Sequence, residues 1–285
     1  MCGPDLGHNV VVPPPAIPTQ VPAQAPPSER VCRLRFQFSK TGAMALLSHL
    51  DVVRMLERAL RRTGLPVSFT GGFHPLPRLQ LALALPLGVE AHGEWMDLEF
   101  LEEVKPEQVV QQWQETLPPG FRLLSAHVVP VSDPSLSQRL ASAHWQFSLH
   151  PAAASASASP EDFAADVVEG CRALLAGDQL IWNDTDKKGR PRQRDCKPFL
   201  LDLKAMDRNP FGPAGRRSSE RAAESSVPTD GVVLRLHAAI DAMGRSLKPT
   251  QIQHWLSEQM GRELRLEQVQ RRALLLEDAN APVLN

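Results

Sequence analysis

Residues 46–100 decide the fold, and they read LLSHLDVVRMLERALRRTGLPVSFTGGFHPLPRLQLALALPLGVEAHGEWMDLEF. Ser48 precedes an apolar-periodic run and Asp51 follows three residues later. This spacing predicts a capping box, in which hydroxyl and carboxylate each accept from a free N–H at a helix start. Gly64 and Pro66 end the predicted helix. Its apolar face carries Val52, Leu56, Ala59 and Leu60.

The opposite face of this helix is basic. Arg54, Arg58 and Arg62 lie four residues apart, where like charges repel one another. Two interpretations stay open at this point. The row is either a solvated arginine face or a surface that meets phosphate or an acidic partner.

A loop rich in glycine and proline follows, with the sequence TGGFHPLPR at residues 70–78. Its glycines permit positive φ and its prolines stiffen the exit. The loop matches neither a Walker sequence nor GxGxxG. Either Phe73 plugs the core beneath a rigid loop, or His74 and Arg78 make it a binding loop.

Two alternating runs come next and predict an antiparallel pair of strands. The first run covers residues 79–85, with leucine at every second position. The second covers residues 94–100, with Met96, Leu98 and Phe100 on one face. The other face of the first run is small and apolar, so we expect another element or a ligand to cover it.

Several of these motifs together resemble the radical SAM-linked protein family, a domain of unknown function. Its members are fused to the C-terminus of radical SAM proteins with a cobalamin-binding-type region, or occur as separate chains. The resemblance extends over about residues 33–277, and the chain departs from it at Gly71, where members carry Gln. The motifs are Leu47-Ser48-His49-Leu50-Asp51, Glu57-Arg58-Ala59-Leu60-Arg61-Arg62, Gly72-Phe73-His74-Pro75 with Pro77-Arg78, and Leu85-Pro86-Leu87-Gly88-Val89-Glu90.

The resemblance implies a bacterial-type chain that works beside a radical SAM protein. S-adenosylmethionine, the iron–sulfur cluster and cobalamin are then expected on that partner, and no cofactor on this chain. The candidate binding site carried over by the resemblance consists of Ser48, His49, Asp51, Arg54, Arg58, Gly72, Phe73, His74, Pro75 and Arg78.

The composition fits a water-soluble globular chain. Of its 285 residues 42% are hydrophobic, and the net charge of -1 hides a basic stretch at 30–89 and an acidic one at 90–119. Only local patches can therefore argue for nucleic acid. The spacing of the four cysteines fits no zinc or iron–sulfur site, and we expect reduced thiols, a cytoplasmic location and no membrane span or signal peptide.

The element order predicts an α+β fold of two ferredoxin-like, split βαβ antiparallel-sheet domains in tandem. Residues 1–29 are a proline-rich segment predicted to be a disordered tail. Residues 30–131 form the first domain, whose opening strand at 30–38 has a predicted basic outer face with Arg33 and Arg35. Residues 132–285 form the second, with one strand more than a strict repeat and a disordered insertion at 207–231. Its strands are predicted at 144–149, 179–183, 197–206, 232–240 and 269–276, and its helices at 161–175 and 249–260.

A second basic feature is the turn between two of these strands. Such a hairpin tip is either solvated or reaches a phosphate backbone, and without an interleaved aromatic residue it does not favour base stacking. Its residues are Lys187, Lys188, Arg190, Arg192 and Arg194.

These observations lead to three hypotheses of function. The first is a non-catalytic accessory protein that presents an anionic substrate, with RNA such as tRNA or rRNA favoured, to a radical SAM enzyme. The second is an enzyme that acts on an anionic small molecule or nucleotide in a pocket of His49, His74 and Arg78. The third is a protein-interaction module. No nucleophile with a positioned base and no carboxylate cluster for a metal is evident, which favours the non-catalytic hypotheses.

Overall fold

The computed structural model describes residues 26–152, 159–185, 188–206 and 231–277. The tail up to residue 25 and the insertion at 207–230 lie outside these ranges. The predictions of disorder made for them therefore fall outside the described residues.

From residue 26 onward, the first half of the chain contains four strands and two α-helices. They are β1 (Cys32–Lys40), α1 (His49–Thr63), β2 (Leu79–Leu81), β3 (Glu90–Phe100), α2 (Pro106–Gln114) and β4 (Phe121–Val129). The predicted helix is confirmed as α1, and it ends at Gly64, whose φ of 71° is the left-handed conformation that glycine adopts without strain.

Six strands and two α-helices lie in the described residues of the second half. They are β5 (Leu140–Pro151), α3 (Pro160–Ala176), β6 (Ile181–Thr185), β7 (Pro191–Asp195), β8 (Leu200–Ala205), β9 (Val232–Ala239), α4 (Pro249–Met260) and β10 (Leu264–Leu276). The unpredicted strand is β7, which pairs with β6 in a separate two-stranded ribbon.

The remaining strands form a single sheet of eight strands in the order β4-β1-β3-β10-β5-β9-β8, with β2 beside β3. The contact between the halves is parallel and joins β3 to β10 at Glu90–Gln270 and Ala91–Arg271. The other neighbouring strands are antiparallel. The α+β class is thus confirmed as a mixed sheet with four helices.

Two apolar cores lie on the sheet. In the first, Phe36 and Met96 pack with Leu56 of α1 and Trp113 of α2. In the second, strands β5 and β9 pack against α3 and α4. Because side chains alternate across a strand, the residues between these core positions face the opposite side of the sheet, which we call the open face.

The predicted strand at 79–85 is shorter than expected. Pairing with β3 ends at Leu81, after which only the Ala82 N–H bonds to the Trp95 carbonyl at 2.9 Å. Leu83 and Leu85 instead turn onto the core of the second half. The alternating leucines therefore do not form one face of a long strand. Leu79 and Leu81 pack on the core of the first half, and Leu83 and Leu85 pack on the core of the second.

The predicted basic outer face of β1 is wrong. Arg33 and Arg35 are buried on the open face, where Arg33 binds Glu99 and Arg35 binds Asp97 through two hydrogen bonds each. The partners come from the acidic stretch of the sequence, which lies on β3 beside β1. The segment after β4 supplies a second carboxylate to Arg35, because Asp133 lies 3.6 Å from its guanidinium group.

Candidate functional site

The first part of the predicted site lies at the N-terminus of α1. The Ser48 hydroxyl accepts from the Asp51 N–H at 3.2 Å and donates to the Asp51 carboxylate at 2.6 Å. This is half of the expected capping box, because the carboxylate turns to the hydroxyl and not to the Ser48 N–H. His49 is exposed beside them, and Arg54 pairs loosely with Asp51 at 3.7 Å.

The basic face of α1 points to solvent. Arg58 and Arg61 are exposed and have no hydrogen bond or ion pair within the described part of the chain. Arg62 donates to the Thr116 carbonyl at the end of α2. The helix thus presents two unpaired guanidinium groups near its C-terminal end.

The two ends of the loop at 70–78 are held together by hydrogen bonds. Phe69 bridges Pro77, and the Thr70 hydroxyl accepts from the Leu76 N–H at 3.1 Å. Gly72 at the tip has φ of 106°, so a side chain there would be strained.

Beside that glycine, Phe73 is 55% exposed and His74 is exposed. Phe73 therefore does not plug the core. Pro75 is half-buried, and Arg78 is half-buried with a buried Nε that has no partner among the described residues.

The loop and His49 lie at opposite ends of α1. Pro77 lines a hollow with Arg61 and Gly64, at the C-terminal end of the helix. His49 lines a different hollow, with Lys40 and Leu85, at the N-terminal end. Positions 49 and 61 are about 18 Å apart along a helix axis. The structure therefore places His49 and the loop that carries His74 and Arg78 at different ends of α1, and does not gather the three residues of the predicted pocket around one hollow.

The second predicted basic feature is the tip of the β6–β7 ribbon. Lys187 lies outside the described residues, and Lys188, Arg190 and Arg192 are exposed. Arg192 and Arg194 both bind Asp184 across the ribbon. Part of the positive charge at this tip is therefore neutralised within the chain.

Sequence reasoning missed a cluster of buried charges where the two halves meet. Lys40 on β1, Glu94 on β3 and Arg271 on β10 are 3%, 3% and 1% exposed. Both oxygens of Glu94 accept from Arg271, at 2.6 Å each. Lys40 Nζ lies 3.4 Å from the carbonyls of Ala45 and Leu47.

A β-bulge brings this cluster onto the helix side of the sheet. Phe38 pairs with Glu94 but Lys40 pairs with Ala91, so β3 has one extra residue between these pairs. Ala91 and Glu94 consequently face the same side. Burial lowers the pKa of Lys40, Glu94 partly opposes this effect, and Arg271 adds to it.

The cavity beside Arg271 has walls from both halves. We call it the seam cavity. Its volume is about 360 Å³, and it is partly open to solvent. Its lining residues are Leu83, Ala84, Leu85, Pro86, Trp145, Gly244, Ser246, Leu247, Lys248 and Arg271.

The open face of the second half carries a polar surface in register. One row crosses five strands and contains Lys204, Arg235, Gln146, Gln270 and Glu90. In the next row the rings of His144 and His237 stack at 4.0 Å. Burial, together with His237 and Arg235, lowers the pKa of His144.

The described residues contain no group of three or more His, Cys, Asp or Glu side chains that could hold a metal ion. Cys32, Cys171 and Cys196 are buried free thiols, and burial raises the pKa of Cys171 to about 12. Within the described ranges, no helix combines the length and the apolar character that crossing a membrane requires.

Comparison with protein families matches residues 33–235, more than half of the chain, to a family described as "Uncharacterized protein conserved in bacteria (DUF2344)". The chain belongs to the DUF2344 family. The matched region includes α1, the loop and Glu94, but ends before Arg271. No curated protein matches this DUF2344 chain.

Two solved structures resemble this DUF2344 protein distantly. One is a chain of a Cbf5-Nop10-Gar1 complex, with 10% identity and a TM-score of 0.43. The match covers 84% of this chain and 49% of the other, so this chain spans about half the length of that protein. The other is an unknown protein from Galdieria sulphuraria, with 12% identity, a TM-score of 0.22 and coverage of 83% and 97%.

Proposed function

We propose that the protein is a non-catalytic RNA-binding accessory protein. Its binding surface is the C-terminal end of α1 together with the loop at 70–78. The observation that carries this proposal is the exposed ring of Phe73 on a fixed loop, at the helix end where Arg58 and Arg61 are unpaired. Cations that follow a phosphate backbone, combined with an aromatic ring on which a base stacks, are typical of single-strand binding.

This surface is a better candidate than the ribbon tip. Arg192 and Arg194 already bind Asp184, whereas Arg58 and Arg61 keep their charge available. A cation that is free of acidic partners releases counterions from RNA without first breaking an ion pair.

The experiment is a fluorescence anisotropy titration of a single-stranded RNA at 50 and 200 mM salt. We expect the double variant Arg58→Glu and Arg61→Glu to bind at least tenfold more weakly. Its log–log salt slope should fall by about 1.4, because each lost contact with a single strand removes about 0.7.

Phe73→Ala tests the stacking part of the proposal. Loss of one stacked base should weaken binding by roughly 1–3 kcal/mol and leave the salt slope unchanged. Arg172→Glu, on an exposed arginine of α3, is the matched control. A salt-independent titration, or an equal loss in the control, would contradict the proposal.

We also propose that the RNA is presented to a radical SAM enzyme. Support comes from the sequence motifs at residues 47–51, 57–62, 72–78 and 85–90 that resemble the radical SAM-linked family. The test is purification of the tagged chain from its own cells, followed by mass spectrometry. Repeated absence of a radical SAM protein from the eluate would count against this role.

We further propose that each half of the chain is a ferredoxin-like unit, so that the protein holds two in tandem. The strand orders β4-β1-β3-β2 and β10-β5-β9-β8 support this, because both follow the pattern last, first, third and second. In this scheme the β6–β7 ribbon is an insertion into the second unit. An experimental structure with a different strand order in either half would contradict it.

A further inference from the structure

The seam cavity adjoins the buried charge cluster: Arg271 lines the cavity itself, and Lys40 lines the hollow of His49, which shares Leu83 and Leu85 with it. Lys40 and Arg271 both face Glu94, and the two oxygens of Glu94 are taken by Arg271. Lys40 is left with two long contacts to carbonyl oxygens. A buried cation without an anionic partner is costly, so a negative charge brought to this region would stabilise the fold.

The wall of the cavity also contains polar atoms without partners. Trp145 is 4% exposed, and its Nε1–H has no acceptor among the described residues. The Ser246 hydroxyl is buried and lacks a partner in the same part of the chain. Such atoms are rare in folded proteins because each one costs about 1–3 kcal/mol.

Arg271 itself keeps donor capacity on the cavity side. Its Nε and Nη2 bind Glu94, and Nη2 also reaches the Leu83 carbonyl at 3.2 Å. Nη1 makes only a long 3.4 Å bond to the Ala84 carbonyl. One N–H of Nη1 is thus left without an acceptor among the described residues, on a side chain that is 1% exposed at the cavity wall. The centre of the Trp145 ring lies 5.3 Å from the guanidinium carbon, within the range of a cation–π contact.

The rest of the cavity is apolar and its rim is held in shape. Leu83 and Leu85 are half-buried and supply aliphatic surface, and the cavity volume of about 360 Å³ is in the range of small-molecule sites. The turn that carries Ser246 is fixed because the Asp241 carboxylate accepts from the N–H groups of residues 243 and 245. Lys248 at the start of α4 adds an exposed cation.

We propose that the seam cavity binds a small amphipathic anion, in which a carboxylate or phosphate head is joined to an apolar body. The head lies near Arg271, Ser246 and Lys248, and the body packs on Leu83 and Leu85. This site is separate from the proposed RNA surface and does not depend on it.

The experiment is isothermal titration calorimetry of the full chain with octanoate, octyl phosphate, octylammonium and inorganic phosphate. We expect one octanoate or octyl phosphate per chain, and at least tenfold weaker binding of octylammonium and of inorganic phosphate. The preferred head group identifies the natural class as carboxylate or phosphate. Octylammonium bound as tightly as the anions, or phosphate bound as tightly as octyl phosphate, would overturn the proposal.

Three variants locate the site, and none of them removes the Arg271–Glu94 pair. Lys248→Glu reverses the rim charge, Ser246→Val removes a hydroxyl, and Ala84→Phe fills the cavity. Each should raise the dissociation constant of the bound anion at least fivefold. Lys204→Glu, on the open face of β8, is the charge-matched control and should bind as the wild type does.

Unchanged anion affinity in all three variants, with folding verified by circular dichroism, would overturn the assignment to this cavity. RNA affinity should be unaffected by Lys248→Glu, so the result is independent of the RNA proposal.

Discussion

At the scale of single residues, the arginines of β1 are structural. Arg35 and Asp97 are 5% and 4% exposed and are joined by two hydrogen bonds of 2.8 and 2.9 Å. A planar guanidinium group matched to a carboxylate offsets the desolvation of both ions. The alternating arginines of this strand can be seen in the sequence. The carboxylate that binds Arg35 is 62 positions away, and the sequence does not indicate that pairing.

Removing one member of this pair should be strongly destabilising. Arg35→Ala leaves a buried carboxylate without its partner and should lower the free energy of unfolding by about 3–5 kcal/mol. Urea unfolding followed by circular dichroism measures the change.

Two further variants complete the test of this pair. The double variant Arg35→Leu with Asp97→Leu should recover most of the loss, because neither member of the pair is then left buried without the other. Arg58→Ala on the exposed face of α1 should change stability by less than about 0.5 kcal/mol. A double variant as unstable as Arg35→Ala would contradict this account.

The stacked histidines of the open face predict a dependence of stability on pH. Burial is the main cause that lowers the pKa of both His144 and His237 below 6.5 in the folded chain. The unfolded chain therefore takes up protons first as the pH falls, and stability is lost below about pH 6.5.

The measurement is the midpoint of urea unfolding between pH 7.5 and 5.5. The wild type should lose stability over this range. The double variant His144→Gln with His237→Gln should show a flatter profile, and an identical profile would refute the assignment.

At the scale of elements, local sequence was sufficient for the helices. Ser48 and Gly64 bound α1 as expected, and α4 occupies its predicted residues 249–260. The strand at 179–183 was expected, but β7 was missed because it is short and charged, and its pairing with β6 buries little apolar surface. Leu83 and Leu85 were assigned to a strand because alternation does not reveal which core a side chain enters.

The crossing of α3 and α4 depends on one glycine. A Cβ atom built at Gly170 would lie 2.6 Å from Leu256 Cδ2, so the helices approach closely there. Gly170→Leu should lower the free energy of unfolding by about 1–3 kcal/mol through overpacking. Thermal unfolding measures it, and Ala165→Leu on the exposed face of α3 is the matched control. Equal effects of the two variants would contradict the close packing.

At the scale of the whole molecule, the two halves are joined through the sheet and through side chains. Arg271 binds Glu94 from 177 positions away, and the Trp95 indole N–H donates to the Leu274 carbonyl at 2.8 Å. Nothing local in the sequence indicates such contacts. For that reason the sequence predicted most of the helices and strands of each half and the basic helix, but not the buried charge cluster or the seam cavity.

These contacts should make the halves unfold together. Glu94→Gln leaves Arg271 without a charge partner and should cost about 3–5 kcal/mol. Hydrogen–deuterium exchange should register the loss equally in β1 and β9, which lie on different sides of the junction. Destabilisation confined to one of these strands would show that the halves unfold independently.

The parallel contact of β3 with β10 also has a consequence for any attempt to divide the chain. Cutting between β4 and β5 would deprive each fragment of its neighbour at positions 90–91 and 270–271. The N–H and C=O groups freed there would belong to exposed edge strands, which pair with other chains and cause aggregation. Co-produced fragments should reassemble with each other, whereas each fragment alone should aggregate.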